Sequence, residues 1–70
     1  MHTLAARIRL AIQLRKLRSK AGFTQEQAAK KAGISYRYYQ ILESKNPSRT
    51  ATIEILERLE KVFGKKLLGF

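Results

Sequence analysis

The chain has 70 residues, which allows one domain with a small hydrophobic core. It has no cysteine, which excludes a disulfide or a thiolate metal site, and its one histidine, His2, lacks the convergent donors that a metal ligand needs. Fifteen lysines and arginines against five glutamates give a net charge of +10, and every glutamate lies at position 26 or later. This charge predicts a polyanionic partner; the alternative is a Lys-rich surface that serves solubility alone.

The first element predicted is a long helix over residues 3–21, with Thr3 as its N-cap and Gly22 as its stop. One face of this helix is assigned to the core: Leu10, Leu14, Leu17 and Ala21. A second apolar stripe, rotated away from the first, consists of Leu4, Ile8 and Ile12. This stripe either packs against the apolar end of the chain or forms a subunit contact.

Two short helices joined by a tight turn are predicted from Thr24 to Glu43. Thr24 to Gln27 fits a capping box, and Gly33 is suited to the left-handed position that ends a helix. Ser35 can cap the second helix, whose inward side is Tyr39 and Leu42. A small-residue stripe lets the two helices approach closely: Ala28, Ala29 and Ala32. Such helices must cross steeply, which is the geometry of a helix-turn-helix.

A last amphipathic helix follows a polar loop, residues 44–51, in which Asn46 and Pro47 indicate a turn. Thr50 or Thr52 can cap this helix, and Gly64 stops it. Its apolar residues recur at helical spacing: Ile53, Leu56, Leu59 and Phe63. Because no repeat or linker interrupts the sequence, we expect a single domain over residues 1–70.

A family resemblance rests on residues of the two short helices: Gln25, Ala29, Gly33, Ile34, Ser35, Leu42 and Glu43. Their pattern resembles the helix-turn-helix of the Cro and phage-repressor type, the XRE family, and it extends from about Leu14 to about Phe63. The resemblance implies an all-α fold, a small lambda-repressor-like bundle of four helices, or five if the tail adds a short one. It also implies a sequence-specific regulator of transcription, of repressor type, that places a recognition helix of about residues 35–44 in the major groove of double-stranded DNA.

The outward side of the recognition helix carries the expected base contacts: Tyr36, Arg37, Gln40 and Ile41. Arg37 has the fork that matches O6 and N7 of guanine, and Gln40 has the paired donor and acceptor that match adenine. Tyr36 could pack on a thymine methyl or bind a phosphate, and Ile41 could touch a thymine methyl or a partner protein. The alternative for each is a solvated surface side chain.

Contacts to the DNA backbone are expected on both sides of this helix. Gln25 lies in the first turn of its helix, where free N–H groups and the helix dipole favour an anion, and the family uses a Gln there to hold a phosphate. The other expected phosphate contacts are Ser35, Tyr38, Lys45, Asn46, Ser48 and Arg49. Such contacts set the register without selecting a sequence.

The resemblance also implies an ion pair between Arg18 of the first helix and Glu43 at the end of the recognition helix. Three positions depart from the family's usual residues. Tyr39 replaces a branched aliphatic residue and Ala28 replaces a leucine, which we interpret as an exchange of volume in the core. Ile41 replaces a residue that is often polar or basic, which leaves the target sequence open.

The expected partners are double-stranded DNA and a second copy of the chain on a pseudo-palindromic site. The dimer surface is expected either at the stripe Leu4, Ile8 and Ile12 or at the tail residues Leu67, Leu68 and Phe70. The alternative function is an antitoxin-type interaction protein that binds a partner protein, a toxin, as well as DNA. No cofactor or metal is expected. The chain carries no plausible nucleophile–base pair, which argues against an enzyme.

No apolar run approaches the roughly 18–20 residues that span a bilayer, and Arg7 and Arg9 interrupt any secretory signal. We therefore expect a cytoplasmic protein, associated with the nucleoid when it is bound. An Arg-rich first helix without acids could also be a transit peptide or a membrane-surface helix. That alternative conflicts with the place of Leu14 and Leu17 in the core.

Overall fold

The computed structural model of the chain describes residues 3–44, 51–65 and 67. In these residues the chain forms four α-helices and no strand: α1 (Leu4–Ala21), α2 (Gln25–Ala32), α3 (Tyr36–Glu43) and α4 (Ile53–Phe63). The predicted all-α class is therefore confirmed. A fifth helix at the tail would fall largely outside the described residues.

Each helix begins at a hydroxyl side chain that accepts a hydrogen bond from the first turn, as predicted. Thr3 accepts from the Ala6 N–H at 3.1 Å, and Thr24 accepts from the Gln27 N–H at 3.0 Å. The Gln27 side chain in turn accepts from the Thr24 N–H at 2.9 Å, which completes the capping box. α3 and α4 begin in the same way at Ser35 and Thr52. Since N-cap oxygens satisfy backbone donors that the helix leaves free, these short helices have well-defined starts.

Glycine in the left-handed region ends three of these helices. Gly22, Gly33 and Gly64 have φ values of 79°, 72° and 66°. Only glycine adopts this conformation without a steric penalty, so the chain turns sharply after α1, α2 and α4. After the turn at Gly33, α3 packs against α2. α3 also packs against α1, and α2 also packs against α4.

The buried side of α1 differs in part from the predicted face. Leu10 and Leu14 are fully buried and Leu17 packs against the core, but Ala21 is exposed in the last turn before Gly22. Its assignment to the core was therefore wrong. Two small residues that the pattern did not select are buried instead, Ala6 and Ala11.

The second apolar stripe of α1 stays largely uncovered by the described residues. Leu4 and Ile12 are 46% and 44% exposed, and Ile8 is half-buried. Leu67 is fully buried in the main core cluster that includes Leu10 and Leu14, and the last residues of the apolar tail, 68–70, lie outside the described residues. Within the described part of the chain, Leu4 and Ile12 remain accessible to solvent.

The interior between α2 and α3 combines small residues with one large ring. Ala28, Ala29 and Ala32 are buried, and Tyr39 and Leu42 of α3 are buried in the same cluster. Ala28 and Tyr39 both have no exposed surface, which is the arrangement expected if the ring fills the volume that a larger residue at position 28 would occupy.

The apolar side of α4 is centred on Leu59, which is fully buried. Its neighbours on this side pack partly against the core: Ile55, Leu56, Val62 and Phe63. Ile53 was grouped with the apolar set but is 68% exposed, because it lies roughly 120° around the helix from Leu59 at 3.6 residues per turn. None of the described helices is long and apolar enough to cross a bilayer.

Candidate nucleic-acid interface

Helix α3 has two sides with opposite environments. Tyr39, Leu42 and Glu43 are buried against α1 and α2. On the other side, Tyr36, Arg37 and Gln40 are exposed, and Ile41 is half-buried beside them. This outward set consists of the four residues that the sequence analysis assigned to base contact.

The exposed side of α3 has the size and chemistry that a major groove accepts. An α-helix with side chains is about 10–12 Å across, which matches the groove of B-DNA at about 12 Å. Arg37 offers several donors in a planar fork, and Gln40 offers one donor and one acceptor side by side. Both side chains project from the same exposed side.

The side chain of Glu43 is buried and bound by Arg18 through two hydrogen bonds. Nε of Arg18 donates to Oε2 of Glu43 at 2.7 Å, and Nη2 donates to Oε1 at 3.1 Å. A third donor of Arg18, Nη1, reaches the backbone carbonyl of Phe23 at 3.0 Å. The side chain of Glu43 is 1% exposed and that of Arg18 is 21% exposed. Hydrogen bonding to the carboxylate of Glu43 raises the pKa of Arg18, and the ion pair joins α1 to α3.

Gln25 lies at the first position of α2 and is half-buried. Its Nε2 donates to Oε1 of Glu43 at 3.1 Å. From the sequence, Gln25 is expected at the DNA backbone and Glu43 in the ion pair, with no contact expected between the two residues. They are 18 positions apart, and no spacing rule in the sequence points to their contact.

The hydroxyl of Tyr39 is buried close to the same ion pair. In the described part of the chain, no group meets this oxygen with good hydrogen-bond geometry. Burial raises the pKa of Tyr39, and the neighbouring carboxylate of Glu43 raises it further. The phenol is therefore neutral at physiological pH. Its ring packs in the core, whereas its hydroxyl adds little to stability.

The remaining predicted phosphate contacts fall into two groups. Ser35 is exposed at the start of α3, where its hydroxyl accepts from the Tyr38 N–H at 3.0 Å and keeps its own hydrogen free to donate. Tyr38 is half-buried and packs partly against the core. The others lie outside the described residues: Lys45, Asn46, Ser48 and Arg49.

In the described residues, no group of three or more acidic, histidine or cysteine side chains is arranged to hold a metal ion. The chain combines two short helices, α2 and α3, joined by a tight turn at Gly33, an exposed polar side on α3 and a strongly basic composition. Together they define the class of small all-α helix-turn-helix domains that bind DNA.

A family model described as helix-turn-helix matches residues 14–70, which is most of the chain. The chain belongs to the Cro/C1-type helix-turn-helix family, the XRE family. Members are DNA-binding regulators of transcription, and this general function and its partner, double-stranded DNA, apply to the chain. No curated protein and no solved structure matches the chain significantly.

Proposed function

We propose that the chain is a sequence-specific regulator that inserts α3 into the major groove of its target duplex. The observation that carries this proposal is the division of α3 into a buried side and an exposed polar side, with Tyr36, Arg37 and Gln40 on the exposed side. A helix anchored along one side can present the other side to base edges with little loss of side-chain and backbone freedom on binding.

Each residue of the exposed side has its own proposed role. Arg37 binds O6 and N7 of a guanine, and Gln40 binds N6 and N7 of an adenine. Tyr36 and Ile41 provide apolar contact with thymine methyl groups. Each bidentate contact contributes about 1–3 kcal/mol of discrimination against other bases.

Phosphate contacts are proposed on both sides of this helix. Gln25 and Ser35 each stand at the start of a helix, where backbone N–H groups also attract an anion. Tyr38 and the loop residues Lys45, Asn46, Ser48 and Arg49 provide the rest. Of these contacts only Lys45 and Arg49 neutralise a phosphate charge, so the logarithm of the binding constant should fall with the logarithm of salt concentration with a slope of about −1.8, at about −0.9 for each of the two.

Recognition by a dimer is part of the proposal, because one domain of this size covers only a short half-site. The stripe of Leu4, Ile8 and Ile12 supports a dimer contact on α1, since Leu4 and Ile12 are about half exposed and lie before the region that the family model matches. Of the alternative dimer surface at the tail, Leu67 is fully buried and contributes no free contact surface, and Leu68 and Phe70 lie outside the described residues.

An antitoxin-type function, in which the chain binds a partner protein as well as DNA, is the second candidate. The same exposed stripe favours it, because a stripe of this kind accepts either a second copy or another protein. Copurification from the native host distinguishes the two. A second small protein in stoichiometric amount supports the antitoxin function, and a homodimer alone supports the regulator.

The direct test is selection of binding sites from random duplex DNA at a stated salt concentration. The proposal predicts an enriched motif that contains a guanine and an adenine within each half-site and is repeated with two-fold symmetry. A motif without two-fold symmetry would remove the dimer from the proposal. The absence of any enrichment would remove sequence-specific recognition.

A further inference from the structure

We propose that Glu43 is a positioning residue for DNA binding: it holds the side-chain amide of Gln25 so that this amide is oriented in advance for a phosphate. The inference rests on the proposed function, because it assumes that Gln25 contacts the DNA backbone. It gives the buried ion pair of Arg18 and Glu43 a role in binding in addition to its role in stability.

Three helices meet at the carboxylate of Glu43. Arg18 of α1 donates two hydrogen bonds to it at 2.7 and 3.1 Å, and Gln25 of α2 donates one at 3.1 Å. Glu43 itself is the last residue of α3. Because the glutamate side chain is 1% exposed and held from α1, its oxygen is a fixed acceptor against which Gln25 is aligned.

The chemistry of the carboxylate determines which end of the Gln25 amide faces it. A charged carboxylate accepts hydrogen bonds and donates none, so the nitrogen of the amide, and not its oxygen, must point to Glu43. The nitrogen carries two N–H donors, and Glu43 occupies one. The second donor remains for an anion at the first turn of α2, where free backbone N–H groups point as well.

The ion pair also removes an electrostatic conflict. A carboxylate close to a phosphate-binding amide would repel the DNA backbone if it were unpaired. Arg18 compensates this charge through its paired donors, while burial keeps the carboxylate away from solvent. The arrangement therefore keeps a strong acceptor for Gln25 without presenting a free negative charge to the duplex.

The test is a double-mutant cycle of Gln25→Ala and Glu43→Gln, with affinity for a random-sequence 20-bp duplex measured by fluorescence anisotropy at one salt concentration. Gln25→Ala should weaken binding about tenfold, the effect of a lost hydrogen bond to a charged group. Glu43→Gln should weaken binding about threefold to tenfold although it removes a negative charge, a change that would by itself strengthen binding to DNA. In the Gln25→Ala background, Glu43→Gln should weaken binding no further.

Folding is controlled in the same experiment. All variants are measured well below their melting temperatures, which are recorded by circular dichroism. Thr3→Ala serves as the matched control, because it removes the cap of α1 and should lower the melting temperature without changing affinity. Glu43→Asp, which keeps the charge but shortens the side chain, replaces Glu43→Gln if that variant is unfolded, and it should show the same dependence on Gln25.

A second readout does not involve DNA. In the free protein, the side-chain amide protons of Gln25 should show slowed exchange and a shifted NMR resonance, and both should revert towards free glutamine in the Glu43 variant. Free-glutamine behaviour in the wild type would overturn the inference. Equal losses of affinity from Glu43→Gln in the wild-type and in the Gln25→Ala background would also overturn the inference. That result would leave the proposed function intact. If the wild type bound no duplex at all, the proposed function would fail and the inference with it.

Discussion

The two sides of α3 belong to the same eight-residue helix but differ in burial and chemistry. The inner side contains a fully buried ring, a buried leucine and a buried carboxylate with three donors around it. The outer side contains Tyr36, Arg37 and Gln40, all exposed. We therefore expect stability to depend on the inner side of α3 and the proposed DNA contact on its outer side, so substitutions should affect these two properties separately.

The largest expected effect is on the inner side. Glu43→Ala leaves Arg18 without its carboxylate in a mostly buried position, which should cost about 3–5 kcal/mol of unfolding free energy. For a domain of 70 residues this is a large part of its stability, since native proteins retain only about 0.05–0.15 kcal/mol per residue. Thermal unfolding by circular dichroism measures the loss. Glu57→Ala on an exposed part of α4 is the matched control, and a Glu43→Ala variant that melts within a degree or two of wild type would contradict the assignment.

The next effect is on the outer side. Arg37→Ala should cost about 1–3 kcal/mol of binding free energy at the selected site and relax the preference at one base pair. Its unfolding free energy should change by no more than about 0.5 kcal/mol, as is usual for surface substitutions. Titrations against the selected site and a site with that base pair changed measure both affinity and preference. An unchanged preference would show that Arg37 does not contact that base.

Ser35 is the N-cap of α3 and also a proposed phosphate contact, so its substitution should modestly lower both stability and affinity for DNA. Ser35→Ala removes the acceptor of the Tyr38 N–H and should cost about 1 kcal/mol of stability. It should also weaken binding to all duplexes alike, because a phosphate contact carries no sequence preference. Thr52→Ala, the equivalent loss of cap on α4, should show the same change in stability. A stability loss in Ser35→Ala without any loss of affinity would remove Ser35 from the phosphate contacts.

The smallest effect is expected at the buried ring. Tyr39→Phe removes a hydroxyl that has no well-formed hydrogen bond in the described part of the chain, so stability at pH 7 should change by about 1 kcal/mol or less. The difference should grow in alkali. Because burial raises the pKa of Tyr39 above the ordinary value of 10.0, the unfolded chain loses this proton first as the pH rises past about 10, and stability falls.

Tyr39→Phe has no hydroxyl to ionise at this position, so it should not lose this part of its stability in alkali. The difference in unfolding free energy between the variant and the wild type should therefore shift in favour of the variant as the pH rises above about 10. Urea titrations at pH 7 and at several pH values above 10 measure the difference. Parallel curves for the two proteins would show that the Tyr39 hydroxyl does not titrate differently in the folded state.

Local features were predictable from the sequence because short-range chemistry determines them. The start of α2 depends on Thr24 and Gln27, three positions apart, and its end depends on Gly33 alone. The outward side of α3 followed from the inward assignment of Tyr39 and Leu42, since a helix repeats every 3.6 residues. The helical repeat alone therefore selects the residues proposed to contact bases.

The rest depended on packing between distant segments. Periodicity grouped Ala21 and Ile53 with the core, but both lie at helix ends that neighbouring helices do not cover. Ala6 and Ala11 are buried although small residues give a weak hydrophobic signal. The contact of Gln25 with Glu43 joins α2 to the end of α3, and no rule of spacing along the sequence predicts a contact of that kind.

We propose that the outer side of α3 recognises bases while its inner side stabilises the fold. The most direct measurement combines Arg37→Ala and Gln40→Ala in one protein and determines its melting temperature and its affinities for the selected and a scrambled duplex. We expect the double variant to have a melting temperature close to that of the wild type and nearly equal affinity for the two duplexes. Undiminished preference for the selected duplex in the folded double variant would contradict the proposal.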